Sequence, residues 1–134
     1  MSAAEAAEAM RVGWLAARPD DEVALVPLSD GGPGFVDALA SALGGALTSV
    51  EVVDPMGLPV SASYLMVGDT AYIESAQACG LHLLAASDRD PRYTSTYGVG
   101  QLIDAALAAG ARKIVIGLGG SSTNDAGAGL LAAL

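Results

Sequence analysis

Over the first seventeen residues, Ala6, Met10, Gly13, Trp14 and Ala17 recur at three- and four-residue spacing, which predicts a helix with one apolar face. Ser2-Ala3-Ala4-Glu5 reads as a capping box at its start, and Pro19, Asp20 and Asp21 stop it. The continuous apolar run Val23–Leu28 predicts a short buried strand, and Phe35–Leu43 a second amphipathic helix ended by Gly44 and Gly45. From residue 47 to 74 the pattern changes. Val50, Val52 and Val53, then Pro59–Tyr64, then Ala71–Ile73 form β-rich runs separated by the turns Asp54-Pro55-Met56-Gly57 and Gly68-Asp69, a small antiparallel or mixed excursion.

Ser75–Gly80 follows as a short helix and residues 85–97 as a polar loop, of the length that tends to be functional or mobile. Gly98–Ala109 places Leu102, Ile103, Ala106 and Leu107 on one helical face and closes at Gly110. Lys113–Leu118, with three β-branched residues, predicts a central parallel strand buried on both faces, and Ala126–Leu134 begins another helix. Helices alternating with short apolar strands define an α/β class, a layered parallel or mixed sheet with flanking helices. The final helix has no terminating signal and the first element is a helix rather than a strand, so the chain is expected to be a piece of a longer protein.

Composition narrows the function. Fifteen acidic residues against six basic give a net charge of -9, and the arginines are scattered at positions 11, 18, 89, 92 and 112 with the one lysine at 113. A phosphate backbone requires clustered cations, so nucleic acid is excluded as a partner. A phosphorylated ligand would need backbone amides, a metal ion or charges from elsewhere. No run approaches the ~18 apolar residues of a membrane span. Cys79 has no disulfide partner, and Glu5 and Glu8 interrupt any signal peptide, which makes a cytoplasmic location the expectation. Cys79 and His82 both read as packing residues in apolar surroundings, and Met10 and Trp14 as the apolar face of the first helix.

The densest chemical signal is Gly117-Leu118-Gly119-Gly120-Ser121-Ser122-Thr123-Asn124-Asp125. Glycines at the carboxyl end of a strand allow free amides and the next helix to converge on an anion, and the polar run adds donors, acceptors and a magnesium ligand. A tight turn with Asn124 or Asp125 as helix cap accounts for the same residues. A dinucleotide fingerprint would need glycine at position 122, and a P-loop would need its lysine after the glycines rather than at 113. Gly-Leu-Gly-Gly-Ser-Ser also resembles the phosphate loop of the galactokinase and homoserine kinase superfamily, without that family's preceding proline or its alanine after the serine. A second candidate is Pro27-Leu28-Ser29-Asp30-Gly31-Gly32-Pro33-Gly34, where Asp30 could act as base, substrate orienter or metal ligand, or with Ser29 merely cap the helix. A third is Ser95-Thr96-Tyr97-Gly98-Val99-Gly100-Gln101, capping or catalytic.

Taken in order, Ser-Ala-Ala-Glu-Ala-Ala-Glu-Ala-Met, Pro-Leu-Ser-Asp-Gly-Gly-Pro-Gly, Thr-Ser-Thr-Tyr-Gly-Val-Gly-Gln-Leu-Ile and Gly-Leu-Gly-Gly-Ser-Ser-Thr-Asn-Asp-Ala-Gly-Ala-Gly resemble the type I glycerate kinase family along the whole chain. The resemblance implies two α/β domains, ATP and Mg2+ as cofactors, and glycerate as the small-molecule substrate that receives phosphate. It implies α/β units at about 1–45 and 98–134, with 46–97 a candidate part of the second domain. Gly31, Gly32, Gly119, Gly120, Ser121, Ser122, Thr123 and Asn124 would then hold substrate or phosphate, Asp30 would activate the hydroxyl, and Asp125 would serve catalysis and magnesium. Three departures stand out. The family's opening strand with its Asp-Ser-Phe-Lys-Gly motif is not found here, the family chain continues well beyond position 134, and Pro33 replaces a usual glutamate. The missing cation of phosphoryl transfer is expected in the absent motif. A non-catalytic anion- or nucleotide-binding module and an inactive structural fragment remain the alternatives.

Overall fold

Valine, tyrosine and threonine suit a pleated, half-buried surface, and the middle of the chain builds the sheet from them. A computed structural model describes residues 1–134. Strands β1 (Ala46–Val53), β2 (Pro59–Val67) and β3 (Thr70–Glu74) form an antiparallel meander, with Val53 opposite Pro59 and Val67 opposite Thr70. Asp54 makes the first turn, its Oδ1 accepting from the amides of Met56 at 2.8 Å and Leu58 at 2.9 Å. The chain then crosses over the sheet and returns as β4 (Lys113–Gly117), parallel to β3 with Gly117 opposite Glu74. The order is β1-β2-β3-β4.

Period-two alternation separates the two faces of the sheet. On one face Val52, Ala62, Tyr64, Ala71 and Ile73 meet Val99, Leu102, Ile103 and Ala106 of the long crossover helix (Tyr97–Ala108), together the hydrophobic core. Leu65 and Glu74 point to the opposite face, where the helix Phe35–Leu43 packs against β2 and β3 with Val36 buried. In chain order the helices are α1 (Ala3–Ala17), α2 (Phe35–Leu43), α3 (Ala76–Cys79), α4 (Tyr97–Ala108) and α5 (Ala128–Ala133). Helix α5 lies against α4 so closely that a Cβ at Gly100 would come within 2.7 Å of the Ala133 Cβ. The polar loop contains one 3-10 turn, Ala86–Asp88, and an Asp90–Arg92 ion pair.

Helix α1 has the expected capping box, with Glu5 N donating to Ser2 Oγ at 3.1 Å and Ser2 N to Glu5 Oε2 at 2.6 Å. It buries no residue: Met10 is 74% and Trp14 57% exposed. Its apolar face instead borders an open groove of about 390 Å³ shared with Val23–Val26.

Two expectations are corrected here. Val23–Leu28 is extended but is not a buried strand; Val26 and Leu28 are exposed, and no backbone hydrogen bond ties it to a neighbour. Apolar, β-branched composition favours extension, but a strand exists only when its N–H and C=O groups find a ladder. Likewise β4 is parallel but not central. It pairs on one side only, so Ile114, Val115 and Ile116 are half-buried. No helix is long and apolar enough to cross a membrane.

Candidate functional site

The two glycine-rich runs, eighty-odd residues apart in sequence, meet backbone to backbone. In the first, Ser29 Oγ accepts from Gly31 N at 3.1 Å and Asp30 Oδ1 from Gly32 N at 2.9 Å, which folds the turn on itself. Gly31 then takes φ +93°, a left-handed conformation that glycine alone adopts freely. The second run leaves β4 directly beneath it. A Cβ on Gly119 would lie 2.6 Å from Gly32 Cα, and one on Gly117 would lie 2.6 Å from Phe35 Cδ1 and 2.7 Å from the Gly31 carbonyl oxygen. The glycines are therefore required first by each other: neither loop can carry a side chain where the other lies.

The segment after β3 holds the second loop from below. Gly117 O accepts from Ser75 N at 3.1 Å and Ser75 Oγ at 2.9 Å, Gly120 O from Leu81 N at 2.8 Å, and Cys79 O from Ser122 N at 2.8 Å and Ser122 Oγ at 2.9 Å. Thr123 Oγ1 donates to Thr94 O at 2.8 Å, while Thr94 Oγ1 donates to Ser122 O at 3.0 Å. The hydroxyls of Ser122 and Thr123 are thus consumed inside the loop. The amides of Gly119, Gly120 and Ser121 find no backbone acceptor in the chain, and Gly120, Ser121 and Asn124 are exposed. Asp30 is also exposed, with only Oδ1 engaged. What the two loops offer a ligand is a short row of free amides, the Ser121 hydroxyl, the Asn124 amide and one carboxylate oxygen.

Asp125 has a different use. Its Oδ1 accepts from Gly127 N at 3.0 Å and its Oδ2 from Thr96 N at 2.9 Å and Gly129 N at 3.1 Å, with Thr96 Oγ1 donating at 2.9 Å as well. Thr96 Oγ1 in turn accepts from Leu130 N at 2.9 Å. Burial pushes the Asp125 carboxyl up, but the backbone N–H and hydroxyl of Thr96 and the amides of Gly127 and Gly129 outweigh it and hold the group below its ordinary range. A carboxylate ringed by N–H donors caps α5 and joins it to the start of α4; these donors do not fit a cation. No cluster of three His, Cys, Asp or Glu side chains suited to a metal ion occurs in the chain. The magnesium expected at Asp125 has no cradle there.

Glu74 and Ser75 escaped sequence reasoning. Glu74 is 4% exposed, and its Oε2 accepts from Gly34 N at 2.9 Å and Val36 N at 3.4 Å. The available signal was a carboxylate directly after the apolar Tyr72-Ile73, where burial of a charge demands a partner. Neither Asp30 nor Ser29 caps α2; Gly34, at φ +94°, is its N-cap without any side-chain bond of its own. Cys79 is buried as expected, its thiol pushed up by burial and 3.9 Å from Ser121 Oγ. His82 is exposed rather than packed.

The fold and site define a mixed α/β protein in which two touching glycine loops present amides and a carboxylate at the carboxyl ends of β3 and β4. The Glycerate kinase family model matches residues 1–134, and the chain belongs to that family. It is 47% identical over 136 residues to a glycerate kinase of Bacillus subtilis and 46% identical to a glycerate 2-kinase of Escherichia coli, covering all of this chain and 36% of each relative. A crystal structure of a protein assigned as glycerate kinase 2 in Salmonella typhimurium LT2 superposes with a TM-score of 0.83 at 44% identity, over 100% of this chain and 37% of that one. The chain therefore spans little more than a third of the relatives it matches.

Proposed function

We propose that this chain supplies one wall of a site that transfers the γ-phosphoryl group of ATP to a hydroxyl of glycerate. The observation that carries the reading is the contact between the two loops, which brings the Gly31-Gly32 turn that follows Asp30 against the loop carrying the unbonded amides of Gly119, Gly120 and Ser121. The relatives' names support the substrate.

In this reading the amides of Gly119, Gly120 and Ser121 bind phosphate oxygens or the glycerate carboxylate, since preorganised N–H donors stabilise oxygen charge without reorganising. Asn124 and the Ser121 hydroxyl orient the substrate. The free Oδ2 of Asp30 takes the proton as the glycerate hydroxyl oxygen bonds to the γ-phosphorus and the bond to the bridging oxygen of ADP breaks. Magnesium would be supplied bound to the nucleotide, and Asp125, already ringed by N–H and hydroxyl donors, would not hold it. Ser122, Thr123 and Asp125 keep the loop in shape.

The test is ADP release from MgATP and glycerate, measured on this chain and on a chimera in which it replaces the matching 36% of the Bacillus subtilis relative. Glycerate-dependent release is expected in the chimera, falling about 10²- to 10⁴-fold in Asp30→Asn. A folded chimera that binds ATP but releases no ADP on adding glycerate overturns the kinase reading in favour of a non-catalytic anion-binding module. Full turnover in Asp30→Asn overturns the role of Asp30.

A further inference from the structure

We infer that Glu74, together with Ser75, is the positioning device of the site: a buried carboxylate at the end of β3 that caps α2 packed above it, leaves Asp30 free, and sets the two glycine loops in register. The functional half of this inference rests on the kinase reading; the positional half does not.

Helix α2 starts at a glycine with left-handed φ, so its first amides have no cap from their own residue. The cheap solution would be local, because Asp30 and Ser29 lie four and five residues before Gly34 and aspartate and serine are the best caps. The chain uses neither. Both side chains turn back on Gly31 and Gly32, and the amides of Gly34 and Val36 are satisfied by Glu74, forty and thirty-eight residues away. A carboxylate buried this deeply loses its hydration and is stable only where donors and a helix N-terminus replace it. That cost has a geometric return. Glu74 stands opposite Gly117 in the parallel ladder, and the next residue, Ser75, binds the Gly117 carbonyl with both its amide and its hydroxyl. Two adjacent residues at one strand end thus hold the start of the Gly119 loop on one side and the end of the Asp30 turn on the other.

The distance between loops then depends on Glu74. With a Cβ at Gly119 only 2.6 Å from Gly32 Cα, the loops already touch and have no slack to close. Loss of the carboxylate allows the Asp30 turn to lift away, while the meander, α4 and the Asp125 cap remain as they are. Glu74 itself does not touch substrate in this account; it acts through Gly34 and the turn before it.

The experiment follows the amide resonances of the isotopically labelled 134-residue chain with and without MgATP. In Glu74→Ala the free chain should show displaced amides for Gly31, Gly32, Gly34, Gly119 and Gly120, with Gly127 and Gly129 at the Asp125 cap unmoved. MgATP should shift Gly119, Gly120 and Ser121 in the parent chain, with apparent affinity reduced about 10-fold or more in Glu74→Ala, the size expected of a misplaced binding group. Glu74→Gln retains an acceptor oxygen and should restore most of that affinity, whereas Glu74→Met, of similar volume but without an oxygen acceptor, should not; equal rescue by both would mean a purely packing role and overturn the inference. If Glu74→Ala does not fold, Glu74→Gln and Ser75→Ala decide: Ser75→Ala must displace Gly119 and Gly120. Unmoved Gly119 and Gly120 amides in a folded Glu74→Ala chain, or in Ser75→Ala, overturn the positional inference. Failure of MgATP to shift the parent's loop amides, with those displacements present, overturns the functional half of the inference for this chain and leaves the clasp standing, while the kinase reading itself is decided by the chimera.

Discussion

The hydrogen bonds of single residues divide the polar run from Ser121 to Asp125 into two groups. Ser122, Thr123 and Asp125 face inward and are fully engaged, while Ser121 and Asn124 remain exposed. Asp125→Asn retains the shape but turns acceptor into donor at half of the carboxamide, so it should destabilise the chain by about 1–3 kcal/mol, read as a lowered Tm. The pH dependence has a definite sign. The folded carboxyl lies below its ordinary value of 3.8, so its stabilisation is complete above that value and is lost as pH falls through it toward the folded one. The Tm gap between the parent and Asp125→Asn should therefore be widest near neutrality and close in acid. Millimolar MgCl2 alone should leave the Thr96, Gly127 and Gly129 amides unshifted; a saturable shift there would make Asp125 a metal ligand after all. The spacing in the sequence marked all five residues as candidates. It could not separate them, because which hydroxyl meets Cys79 O or Thr94 O depends on where β3 and the loop at residue 94 lie in space.

At the level of elements, burial and helical pattern do not coincide. Helix α4 drives Leu102 and Ile103 into the sheet, whereas α1, which also carries an apolar stripe, buries none of its residues. Leu102→Ala should cost about 2–5 kcal/mol through the cavity it leaves. Trp14→Ala should change stability by no more than about 0.5 kcal/mol. Urea unfolding of both variants checks the contrast. Because Trp14 is the one tryptophan, its fluorescence reports α1 alone and should already be at the wavelength of a water-exposed indole in the native chain. A blue-shifted native emission would mean that the α1 face is covered in solution. Helix periodicity was legible for both helices, and the capping box for α1, since these are local properties of a few consecutive residues. The strand assigned to Val23–Leu28 was not, because strand pairing is a property of two segments and the ladder that would have made it a strand is not present in the chain.

The whole molecule carries a net charge of -9, and the proposed ligands are anions. Backbone amides have to bind phosphate against that field, so added salt should screen repulsion rather than attraction. The apparent affinity of the chain for MgATP should rise as NaCl goes from about 10 mM to about 150 mM, the reverse of a lysine-lined phosphate site. A marked fall, measured by the same amide shifts, would show that one of the scattered arginines lies on the phosphates.

By itself the sequence determined the helices, a β-rich antiparallel or mixed middle, a parallel strand before the last glycine run and the positions of both glycine loops, all of which follow from local periodicity, turn chemistry and caps. Its ordered motifs also determined the family. Only the tertiary structure decided that the loops touch, that Asp125 is a cap ringed by N–H and hydroxyl donors, that β4 lies at an edge, and that a buried Glu74 caps a helix begun forty residues earlier. Each of these depends on which distant segment occupies the space beside a residue. Backbone hydrogen bonding and van der Waals exclusion settle that only once the sheet has brought the ends of β3 and β4 together.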